Sequence, residues 1–67
     1  MRFYAYVPND EGKEPLGTSH RVLFQLKTVR GAIRHCRRTL GWDRFRLFSY
    51  FNFHKEETHR MVHEEGT

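Results

Sequence analysis

Polar and apolar positions alternate from the start of the chain. Phe3, Ala5 and Val7 fall on one side and Arg2, Tyr4 and Tyr6 on the other, the period-two pattern of a strand, which Pro8 ends. Residues 20–26 repeat the pattern, with Val22, Phe24 and Leu26 facing inward and Arg21, Leu23 and Gln25 outward. The surest strand is Arg44–Phe53. Its inner face is Phe45, Leu47, Phe51 and Phe53 with Ser49 between, and its outer face is Arg44, Arg46, Phe48, Tyr50 and Asn52. Between the second and third strands the period changes. At about 100° per residue, Val29, Ala32, Ile33, Cys36 and Leu40 collapse onto one helical stripe. Thr28 is the expected N-cap and Gly41 the expected left-handed C-cap. Gly31, inside the helix, costs about 1 kcal/mol relative to alanine; it reads either as a close approach to the sheet or as simply tolerated.

Two connecting stretches are less regular. Residues 8–19 hold both prolines together with Gly12 and Gly17, and read as a flexible loop. The rival reading is a hairpin turn around Asp10–Lys13. Residues 54–65 suit a turn at Lys55–Glu57 followed by a strand from Thr58 to Glu64. A short terminal helix is the other option, and the strand is favoured because a lone helix this short is weak without an apolar face. The expected fold is a single α+β domain over residues 1–67: one antiparallel sheet, ββαββ along the chain, packed on one helix.

Charge sharpens this picture. The net charge is +4 over 67 residues, but between Leu16 and His54 there are eight Lys or Arg and one acid, Asp43. So cationic a segment points to polyanionic partners and excludes a DNA mimic, which needs an acidic surface. Six Phe, three Tyr and one Trp exclude a disordered tail. Cys36 is the only cysteine, so no intrachain disulfide forms; its place on the apolar stripe makes it a small core hydrophobe, in keeping with a reducing compartment. The opening residues are too short for a signal peptide, and no apolar run nears the ~20 residues that span a bilayer. The cytoplasm is the expected location, that of the host if the protein is viral, and no membrane partner is expected.

Three constellations could carry chemistry. The first is a helix flank of Arg30, Arg34, Arg37 and Arg38, with Lys27 near its start and no acid among them. Guanidinium groups at this pitch can fork onto successive phosphates; the plainer alternative is a solvated face whose arginine stems cover apolar surface. The second is the outer sheet face. If the first and third strands are neighbours, Arg2, Tyr4 and Tyr6 lie beside Arg44, Arg46, Phe48, Tyr50 and Asn52. Aromatics interleaved with arginines hold single-stranded nucleic acid in RNA-recognition platforms. Such a face equally suits a protein partner, a homodimer or plain sheet stability. The third is His54, His59 and His63 with Glu56 and Glu57. On a helix, Glu56, His59 and His63 would share a face fit for zinc; on a strand, His59 and His63 stand about 13 Å apart. His20 and His35 are expected at the surface. No metal and no other cofactor is expected, and no phosphate loop or nucleophile elbow is present.

The layout of strand, loop, strand, helix and closing strands resembles that of small phage-encoded inhibitor proteins, among them anti-CRISPR proteins and RNA-polymerase inhibitors. The resemblance is one of topology and carries no residue roles. It implies a compact, non-enzymatic inhibitor or regulator that docks on a bacterial nucleic-acid-handling complex through the basic flank and the aromatic face. A module that contacts DNA or RNA directly is the alternative, and a metal-dependent nuclease built on Glu56, His59 and His63 a remote one.

Overall fold

The structure, a computed structural model, describes residues 1–17 and 20–66, with every side chain among them except that of Phe53. Residues 18–19 of the expected loop and the inward place of Phe53 lie outside the described residues. Four strands, β1 (Arg2–Tyr6), β2 (Val22–Gln25), β3 (Phe45–Phe53) and β4 (Glu56–Glu65), form one antiparallel sheet in the order β2-β1-β3-β4. One helix, α1 (Val29–Arg34), continues into a wider π-type turn over His35–Thr39 and covers one face of the sheet. The architecture is α+β with a single sheet, ββαββ along the chain.

Local chemistry explains the elements. Thr28 is extended, and its hydroxyl accepts a 3.0 Å hydrogen bond from the Gly31 amide, satisfying one of the first turn's spare donors. A Cβ at Gly31 would sit 3.1 Å from that hydroxyl, so this glycine makes room for the cap rather than for the sheet. In the last turn the Leu40 amide donates to the His35 carbonyl five residues back, at 3.1 Å, and Gly41 at φ +71° releases the chain toward β3.

The stripe does what its spacing predicts. Ala32 and Cys36 are fully buried with Phe3, Ala5, Phe45 and Leu47, and Val29, Ile33 and Leu40 pack around them with Phe24, Leu26, Trp42 and Val62. Val62 joins this set through a β-bulge. Leu47 pairs with His63 and Phe48 with Met61, so Val62 is the extra residue and turns to the core. His35, expected at the surface, is half-buried, with its ring 4.6 Å from that of Phe24 on β2.

Residues 56–65 form a strand, longer than expected and entered by a tighter turn. β4 starts at Glu56, and only His54 and Lys55 make the turn, both at positive φ (50° and 67°). The segment after β1 closes on Asn9, whose side-chain oxygen accepts from the Glu11 and Lys13 amides at 3.0 and 2.9 Å.

Element lengths leave the sheet only partly covered. The 11 helical residues span about 16 Å, whereas the nine residues of β3 span about 30 Å. The far half of the β3–β4 hairpin therefore projects beyond the helix. Phe51, expected on the inner face, is on the helix-bearing face as the alternation requires, and it is 58% exposed.

Candidate functional site

The outer sheet face is not the open aromatic platform expected from the alternation. The first and third strands are neighbours, and the register sets Tyr4 opposite Phe48, Tyr6 opposite Arg46 and Arg2 opposite Tyr50. Tyr4 and Tyr6 are nevertheless only 3% and 5% exposed. Phe48 stacks against both, with ring centroids 4.8 and 5.6 Å away, and the Arg21 guanidinium lies 4.4 Å over the Tyr4 ring while it pairs with Glu14. Burial raises the Tyr4 hydroxyl's pKa above its ordinary value, against the pull of Arg21. The tyrosines are the centre of a second small core.

Two arginines of this face, Arg44 and Arg46, are also engaged from within. Arg46 pairs with Glu64 on β4, and its guanidinium's pKa is raised by hydrogen bonds to Tyr6 and then Glu64. Arg44 donates to the Asn9 carbonyl at 3.5 Å, and the Tyr50 hydroxyl donates to Glu57 at 2.9 Å. What remains outward and apolar are the two ends of a row across the sheet, Leu23–Tyr4–Phe48–Met61: Leu23 is 68% exposed and Met61 48%.

The helix flank keeps its charge. Arg30, Arg34, Arg37 and Arg38 line a hollow of about 340 Å³ together with Ile33. Arg37 is taken up internally: its Nε donates to both Glu65 oxygens, at 3.0 and 2.8 Å. That contact, joined by His63 at 3.2 Å, holds the Glu65 carboxyl at about 2, well below its ordinary 4.5. Among the described residues, Arg30, Arg34 and Arg38 make no ion pair and are exposed. Lys27 stands apart, in a different hollow with Met1, Gln25 and Thr28. The cluster is thus three free guanidinium groups, not five cations.

The flank has a definite orientation. Arg37 reaches Glu65 on β4, while His35 packs on Phe24 of β2. The arginine side of the helix therefore looks along the sheet toward β4, and its three unpaired arginines spread over about 12 Å of helix.

The histidines separate. His59 pairs with Tyr50 and His63 with Leu47, so the bulge-containing β4 puts them on opposite faces. Among the described residues no three His, Cys, Asp or Glu side chains converge on a common point. Burial first, and Glu65 second, push the Cys36 thiol up to about 11. No helix among the described residues is long and apolar enough to cross a membrane.

Sequence reasoning overlooked Arg60 and left the exposure of Phe51 unread. Both lie on the helix-bearing face of the overhanging hairpin, where Ser49 pairs with Arg60 and Phe51 with Thr58. The comparison of a ten-residue alternating strand with a helix of a dozen residues was the signal that could have found them. No protein-family model, no curated protein and no solved structure matches the chain.

Proposed function

We propose that this chain is a non-enzymatic binding module that holds the phosphate backbone of a nucleic acid through Arg30, Arg34 and Arg38. One observation carries the reading. The chain neutralises Arg21, Arg37 and Arg46 with its own glutamates, yet leaves these three guanidinium groups unpaired beside one another. Like charges at i, i+4 cost a few tenths of a kcal/mol per pair, and an anionic ligand removes that cost. Guanidinium is the group that meets phosphate in a fork. Burial of Tyr4 and Tyr6 takes away the aromatic hot spots on which docking to a protein complex would lean. Phosphate contact by arginine needs no such anchors.

Fluorescence anisotropy with a labelled single-stranded oligonucleotide tests the proposal. Three phosphate contacts give a slope of about −2 for log K against log salt. Arg34→Glu with Arg38→Glu is expected to weaken binding more than tenfold at low salt and to flatten that slope. Absence of binding at low salt, together with retention of an acidic protein on the immobilised chain, would replace the nucleic acid with a protein partner.

A further inference from the structure

Alternation gives the first half of β4 two faces. Glu56, Thr58 and Arg60 stand on the helix-bearing side, and Glu57 and His59 on the outer side. β4 is an edge of the sheet, and every residue from Glu56 to Met61 is exposed. An edge strand presents backbone donors and acceptors that are a template for another strand. The pairing of β1 with β3 stops at Tyr50, so the end of the hairpin is a ribbon of two strands, marginal in water without a further neighbour. The other half of β4 is protected from such pairing. The bulge at Val62 twists it, and Glu64 and Glu65 are held by Arg46 and Arg37.

We infer that the first half of this edge pairs antiparallel with the same segment of a second copy, about a twofold axis at Thr58. Charge complementarity selects both the occupant and the register. Glu56-Glu57-Thr58-His59-Arg60 complements itself when reversed: Glu56 meets Arg60 of the second copy, Glu57 meets its His59, and Thr58 meets Thr58. A closed pair sets the axis perpendicular to the sheet, so each opposed pair shares a face, as these do. Within one chain Glu56 and Arg60 stand about 13 Å apart along the strand and cannot meet, and among the described residues neither makes an ion pair. Glu57 accepts the Tyr50 hydroxyl through one oxygen, which leaves the other for His59. Axes elsewhere fit worse. At Glu57 or Arg60 they oppose like charges, at His59 they oppose no opposite charges, and at Met61 or Val62 they fall on the bulge.

The dimer is one continuous sheet of two four-stranded halves, with both helices on one side and both arginine flanks turned toward the shared edge. It does not depend on the phosphate reading. So short a ladder makes a small interface, and the association is one of modest affinity.

Sedimentation velocity of the full chain over a wide range of concentration tests the pairing. The mass is expected to rise with concentration to that of two chains and to stop there. Glu56→Arg and Arg60→Glu each oppose like charges twice, and each is expected to weaken association by more than about tenfold. Combined in one chain they restore the complement with its signs exchanged, and the affinity is expected to recover to near that of the parent. Thr58→Cys is expected to cross-link two chains on mild oxidation, since opposed Cα atoms of neighbouring strands stand about 5 Å apart. Asn52→Cys, one strand further in, is not, and the native Cys36 is buried. The substituted side chains are exposed, and a circular dichroism spectrum checks that each variant folds. A single chain at every concentration overturns the inference, as does a dimer indifferent to both charge reversals. Growth past the dimer would join β4 to the opposite edge, β2, in an open array, and overturns it too.

Discussion

Glu65 shows how one residue ties the fold to its electrostatics. Its carboxylate spans from the end of β4 to Arg37 in the helix and accepts a further contact from His63. The next residue, Gly66, is equally constrained: at φ +76°, a Cβ there would lie 2.5 Å from the Asp43 carbonyl oxygen. Arg37 holds the Glu65 carboxyl at about 2 in the folded chain against an ordinary 4.5. A depressed carboxylate stabilises the fold fully above its unfolded pKa and loses that contribution as pH falls through the folded one. The stability gap between the parent and Glu65→Gln is therefore constant above pH 4.5 and closes between 4.5 and about 2, measurable by urea titration across that window. A gap unchanged at pH 2.5 would contradict the pairing. Cys36 was legible from the sequence because its burial depends on the spacing of its own helix. Burial of Tyr4 and Tyr6 was not, because it depends on Phe48, over forty residues away, and on the register that stacks it between them.

At the level of elements, alternation located β1, β2 and β3, the weakness of a lone short helix pointed to β4, and the stripe located the helix, with both caps where Thr28 and Gly41 predict them. Lengths and joins were harder to read. The bulge at Val62 has no sequence marker of its own; it exists because β4 gains by turning a valine to the core while keeping Met61 opposite Phe48. The β3–β4 turn also escapes a residue-type rule. A two-residue hairpin loop with both φ values positive is normally built from Asn-Gly, whereas here His54 and Lys55 adopt it. Left-handed backbone costs an ordinary side chain roughly 1–2 kcal/mol per residue. Replacing His54→Asn together with Lys55→Gly is thus expected to stabilise the chain by about 1 kcal/mol, read as a higher urea midpoint at an unchanged m-value. A lower midpoint would mean that side-chain contacts of His54 outweigh the backbone term.

On the scale of the whole molecule, the chain spends its acids unevenly. Glu14, Glu64 and Glu65 each neutralise an arginine that packs against the sheet or closes the helix onto β4, and of the arginines without an ion pair among the described residues three share one side of the helix. A helix about half as long as β3 leaves the end of the β3–β4 hairpin extending beyond it, with Phe51 and Arg60 exposed on the helix-bearing side. The outer face, where the sequence pattern pointed first, is closed by the chain's own rings and ion pairs. Arginine Nε–Hε resonances of the ¹⁵N-labelled protein, followed during titration with oligothymidine, test this division most directly. The account predicts that the signals of Arg30, Arg34 and Arg38 move first and farthest, while those of Arg21 and Arg46 stay in place. Shifts confined to the paired Arg21 and Arg46 would contradict it.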